Sequence, residues 1–196
     1  MENVGRRSQF DGDVSQFINV GNKSFNGYEH NSLFQIGSGG EYIDVAAVCG
    51  ADRVEDTRGL AVADLDNDGD QDIVLQNYRQ SAKVLINSGT TNHWLQVSLR
   101  GVESNRSAIG AHVTIRYGGK TQSETVTCGE AYLSCRSRVL HFGLADAAQV
   151  AEVRVRWPSG RVEIVYDVES NQRLRIVEGE GVQAPVLSDG GSKENS

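Results

Sequence analysis

The stretch Asp64-Leu65-Asp66-Asn67-Asp68-Gly69-Asp70-Gln71-Asp72 sets five aspartates on alternate positions within nine residues, with one glycine among them. Five carboxylates this close repel one another unless a cation neutralises them. All-oxygen donors suit a hard cation, and a flexible carboxylate-rich loop favours Ca²⁺ over Mg²⁺. The spacing predicts side-chain ligands at Asp64, Asp66, Asp68 and Asp72, a backbone carbonyl ligand at Asp70, and a turn at Gly69 that aims it. A solvated acidic turn is the plain alternative. The alternation and the glycine both argue against it.

The loop begins like an EF-hand loop but does not finish like one. An EF-hand needs a bidentate Glu at the twelfth position, and counting from Asp64 that position is Leu75. The flanks, Gly59-Leu60-Ala61-Val62-Ala63 and Ile73-Val74-Leu75, are short apolar runs suited to buried strands rather than amphipathic helices. A metal loop between two strands fits better. From Arg58 through the aspartates to Asn77 the sequence resembles the FG-GAP/VCBS repeat of β-propellers. That resemblance implies a loop joining the first two strands of a blade and binding Ca²⁺.

Upstream, residues 1–27 read as a polar arm in which Phe10, Phe17, Ile18 and Val20 could support one strand or a docked arm. Asn26-Gly-Tyr-Glu-His-Asn-Ser-Leu-Phe-Gln-Ile36, a glycine turn at 37–40 and Glu41-Tyr-Ile-Asp-Val45 give a hairpin signal. The same stretch resembles the closing half of a blade. Residues 46–57 read as a loop or one helical turn, and residues 59–88 as three strands. The region 28–91 therefore holds about one and a half blades, whereas closed propellers need about four or more. Open sheet edges invite pairing, so self-association as a dimer is expected.

Residues 92–178 alternate apolar and polar side chains over about seven short strands, which predicts a β-sandwich. Leu95, Val97, Val113, Ile115, Val153, Val155 and Ile164 are the expected core. Trp94 and Trp157 are expected at the sandwich ends. Residues 179–196 are Gly/Ser-rich and charged and read as a disordered tail. The fold class is thus all-β: a partial blade sheet with its loop, then a sandwich. Asn92-His-Trp-Leu95, Ser104-Asn-Arg-Ser-Ala-Ile-Gly-Ala111, Gly129-x-x-Tyr132-Leu-Ser134, His141-Phe-Gly-Leu144 and Val155-Arg-Trp-Pro-Ser-Gly160 together resemble the ASPIC/UnbV domain. Relatives of that kind include secreted or cell-surface proteins like cartilage acidic protein and UnbV-like proteins of bacterial enediyne clusters. The resemblance therefore implies either an extracellular module or a role in natural-product biosynthesis.

The 196 residues carry a formal net charge of −7, which argues against a general nucleic-acid binder. No apolar run approaches a membrane span. Met1-Glu-Asn-Val-Gly-Arg-Arg7 lacks the apolar core of a signal peptide, so either the chain is cytoplasmic or an export segment and more were cut away. Cys49, Cys128 and Cys135 make no disulfide framework. Cys128 and Cys135 could pair, but free, partly buried thiols are the expectation.

For catalysis the best constellation is Cys128, Glu130, Tyr132, Cys135 and His141, a nucleophile and base in principle. His141 reads more simply as a packed strand residue, and His93 as a junction residue rather than a ligand. Arg154, Arg156 and Arg161 form a stripe that could grip an anion or simply face solvent. Two functions follow: a non-catalytic Ca²⁺-binding interaction or assembly module, or a small enzyme or accessory protein of cyclase or isomerase type. A pocket between the two halves holding a titratable residue favours the second. An exposed sheet edge favours the first.

Overall fold

The computed structural model describes residues 29–37, 39–89, 91–129 and 134–183. Among the described residues the protein is all-β apart from one four-residue helix. It divides between Asp56 and Thr57 into two compact units.

The first unit holds the hairpin of β1 (Phe34–Ile36) and β2 (Tyr42–Asp44), paired antiparallel with Phe34 opposite Asp44. The helix α1 (Ala46–Cys49) follows. Asp44 starts it without being a formal cap: one carboxylate oxygen accepts the Leu33 and Ala46 backbone N–H groups at 3.2 and 3.0 Å. The Ala46 N–H foremost, then the Ser32 side chain and the Leu33 N–H, hold the carboxyl below its usual range. Gly50 ends the helix in the left-handed region at φ 71°.

The second unit opens with a three-stranded antiparallel sheet, β3 (Thr57–Ala63), β4 (Asp72–Asn77) and β5 (Lys83–Leu85), in that order. The aspartate loop joins β3 to β4. Directly opposed residues share a face, so Leu60, Val62, Ile73, Leu75 and Leu85 line one side and Ala61, Val74 and Val84 the other. Both faces are therefore apolar. The outer edge of β3 is met by the segment 134–137: Ser134 Oγ donates to the Leu60 carbonyl at 2.6 Å, and Ser137 N–H to the Val62 carbonyl at 3.4 Å. Among the described residues no strand pairs with the outer edge of β5.

Two four-stranded sheets make the sandwich. One runs β11 (Val162–Glu169), β10 (Gln149–Arg156), β7 (His112–Tyr117), β8 (Lys120–Thr125). The other runs β13 (Gly181–Gln183), β12 (Gln172–Val177), β6 (His93–Arg100), β9 (Leu140–Ala145). β12 and β6 are parallel, the one parallel pair among the described strands. Strand β13 lies within the stretch that composition reads as tail; its pairing with β12 supplies order that a Gly-rich sequence does not announce.

Leu95, Val97, Val113, Ile115, Val153 and Val155 are all fully buried, as their alternation predicts. Ile164 is not: it is 36% exposed, and Val165 packs against the core instead. The turn explains the change of phase. Trp157 N–H donates to the Arg161 carbonyl and Gly160 N–H to the Trp157 carbonyl, which places Val162 opposite Arg156 and Ile164 opposite Arg154. The arginine face is the outer face, so Val162, Ile164 and Tyr166 go out with it. Trp157 sits in the core, with its indole N–H donating to Glu163.

Candidate metal centre

The loop is built by its own aspartates. Asp64 Oδ1 accepts the Asn67 N–H at 2.7 Å, Asp66 Oδ1 the Asp68 N–H at 3.3 Å, and Asp68 Oδ1 the Asp70 N–H at 2.9 Å. Asx bonds of this kind wind short turns without help from a helix or ladder. Asn67 and Gly69 take positive φ, 64° and 98°. Gly69 has a second reason to be glycine: a Cβ there would lie 1.8 Å from the Trp94 indole. The loop therefore rests on a ring projecting from the outer face of β6. Trp94 serves as the seat of the loop rather than as an end-cap of the sandwich.

Asp72 is 1% exposed and ties the start of the loop to the segment that follows β5. Its Oδ2 accepts Leu65 N–H at 2.8 Å and its Oδ1 accepts Asn87 N–H at 2.9 Å. Asp64, with its side chain 5% exposed, reaches the sandwich. The buried Gln96 amide donates to Asp64 Oδ2 at 2.7 Å, and Arg173 lies 3.8 Å from the same oxygen while donating to Gln96 Oε1 at 2.7 Å.

One oxygen each of Asp64, Asp66 and Asp72 lie within 4.8 Å of one another. Among the described residues this is the sole group of three or more His, Cys, Asp or Glu side chains so disposed. Asp68 and Asp70 are not members of that group; their Oδ2 atoms lie 4.0 and 3.1 Å from where a Cβ on Gly89 would be. The trio fits a hard divalent cation. Its donors are all oxygen, two of the three carboxylates are buried and held by hydrogen bonds, and Asp66 is exposed.

Beside the loop lies a cleft of about 250 Å³ walled by Leu60, Val62 and Val139, with Glu124, Arg136 and His141 among its polar lining. Arg136 donates to Glu124 at 2.8 Å. Nδ1 of His141 is buried and forms no hydrogen bond among the described residues. Burial lowers the His141 pKa, against the pull of the Glu124, Asp70 and Asp64 carboxylates, so neutral imidazole is favoured. Of the other members of the cysteine–histidine constellation, Glu130 and Tyr132 fall outside the described residues. Cys128 and Cys135 are free, which matches expectation, but exposed rather than partly buried. They lie on connecting segments outside the described strands. His93 is held by Ser170 and Asn171 side chains at 3.1 and 2.8 Å.

A second polar centre was not visible in the sequence. Glu178 is 2% exposed and its carboxylate accepts four bonds: Val102 N–H, Ser104 N–H, Ser104 Oγ–H and Ser159 Oγ–H, at 2.8, 2.7, 2.8 and 2.6 Å. Burial alone would raise its pKa. The Ser159 hydroxyl, then the Ser104 and Val102 bonds, outweigh it and hold the carboxyl at about 2. Two stretches far apart in sequence, Ser104–Ala111 and Val155–Gly160, thus meet on one buried carboxylate.

Residues 101–183 match the ASPIC and UnbV family model. No curated protein matches the chain. The ASPIC/UnbV match takes in Ser104, Ser159, Glu178 and His141, and leaves Asn92–Leu95 and the aspartate loop outside. In the ASPIC/UnbV region, Ser104 and Ser159 work as structural donors to Glu178, which explains two of the stretches that carry the resemblance.

Proposed function

We propose that this chain is a Ca²⁺-binding, non-catalytic interaction or assembly module. The observation that carries it is the convergence of Asp64, Asp66 and Asp72 in a loop whose glycine is fixed by both φ and contact. Three carboxylates this close are mutually repulsive, and a bound cation removes that cost. The resemblance of residues 58–77 to an FG-GAP/VCBS repeat supports the same ion. Because Asp64 also holds Gln96 and Arg173, the ion would fasten the small sheet to the sandwich. The apolar residues on both faces of that sheet and the outer edge of β5 support an assembly role, with dimerisation through that edge the simplest closed solution. Thermal melts with calcium and with chelator test the reading. At free ion about 100 times the dissociation constant, linkage gives about 2.7 kcal/mol of stabilisation; unchanged melting in chelator would sink it.

A second reading has one observation in its favour. The cleft at His141 combines an apolar wall with a buried, neutral-leaning imidazole, as a small enzyme or accessory protein of cyclase or isomerase type would require. The resemblance to UnbV-like proteins supports proposing such a role in bacterial natural-product biosynthesis.

A further inference from the structure

We propose that a second cavity, independent of the metal loop, binds a phosphate group. The cavity measures about 550 Å³ and is lined by Arg106, Arg136 and Arg138 together with Ser98, Ser107 and Ser137. No carboxylate is among its described lining residues. This surplus of positive charge occurs in a chain whose net charge is −7.

Some other arginines of the sandwich are neutralised, while Arg100, Arg156 and Arg175 form no ion pair among the described residues. Arg154 pairs with Glu152 at 3.0 Å and Arg161 with Glu103 at 3.1 Å. Within the cavity, Arg136 is paired with Glu124. Arg106 and Arg138 form no ion pair or side-chain hydrogen bond among the described residues. Guanidinium groups stay charged at any ordinary pH, so like charges in one concavity call for a counter-anion.

Both walls are anchored before any ligand arrives. Arg106 sits on the loop that Glu178 fixes through Val102 and Ser104, and its carbonyl accepts Gly101 N–H at 3.3 Å. Arg136 and Arg138 flank Ser137, whose N–H is tied to Val62 of β3. Ser137 Oγ accepts Val139 N–H at 3.2 Å, leaving its own proton to donate. Guanidinium forks and hydroxyls offer many donors around a small volume. A phosphate group, with several acceptor oxygens and up to two charges, answers that donor set better than a single carboxylate does.

The phosphate could sit on a free small molecule or on a lipid headgroup, and two probes separate these. Pyrophosphate is titrated into the full chain in metal-free buffer. Phosphatidylcholine vesicles with and without phosphatidic acid are co-sedimented with it. Binding of pyrophosphate, weakened at least about tenfold by Arg106→Gln with Arg138→Gln, supports the site and assigns a free ligand. Binding to phosphatidic-acid vesicles alone, with the same sensitivity, supports it and assigns a headgroup. Arg154→Gln should change neither, and unaltered melting of each variant shows that the fold is intact. If neither probe binds, or if binding survives the double substitution, the proposal is overturned.

Discussion

Gly69 carries two constraints that one substitution can separate. Its φ of 98° disfavours any side chain, and Trp94 occupies the space a side chain would need. Gly119 has a positive φ of 74° but nothing within 4 Å of its would-be Cβ. Gly119→Ala should therefore cost only backbone strain, about 1 kcal/mol. Gly69→Ala should cost about 2–4 kcal/mol by denaturant unfolding, because strain and overpacking add. Equal costs would mean that Trp94 is not the seat of the loop. Glu178 makes a residue-scale prediction about acid. Its folded pKa of about 2 lies below the ordinary 4.5, so its stabilisation is complete above pH 4.5 and is lost as pH falls through 2. Glu178→Gln should lower stability at neutral pH, and its deficit against wild type should shrink steadily across that window. A deficit that does not change with pH would show that the charge on Glu178 does not matter.

At the scale of elements, alternation made the core of β6, β7 and β10 legible: Leu95 and Val97, Val113 and Ile115, Val153 and Val155 each admit one phase only. Strand β11 has apolar residues in both phases, Val162, Ile164 and Tyr166 in one and Val165 in the other. The backbone bonds of the 157–161 turn choose between them, and composition cannot weigh those. Val155→Asp would bury a charge and should cost about 4 kcal/mol or more. Ile164→Thr, on the outer face, should stay within about 1 kcal/mol. Urea denaturation of the two variants checks the phase, and a large loss at Ile164 would reverse it. The aspartate loop was legible because local spacing encodes it. Glu178 and the Arg106–Arg138 cavity were not, because their members are separated by dozens of residues and only the strand order brings them together.

At the scale of the molecule, the all-β architecture follows from short alternating runs and scarce proline, while the expectation of a partner rests on the small sheet. A sheet apolar on both faces, with one edge met by the segment 134–137 and the other unpaired among the described residues, is an incomplete structure on its own. A dimer is the expected state, and sedimentation velocity at micromolar concentration should show it, with Val84→Lys on β5 shifting it toward monomer. A monomer at all accessible concentrations would refute this.

The central claim concerns the ion, and calorimetric titration of calcium into chelator-treated protein tests it most directly. Asp66→Ala is the informative variant. Asp66 is exposed and accepts only a local N–H, whereas Asp64 and Asp72 also hold the structure together. Wild type should bind one calcium ion per chain, and Asp66→Ala should weaken that binding at least about tenfold while keeping its fold. Absence of calcium binding by the wild-type chain, or undiminished binding by Asp66→Ala, would contradict the account.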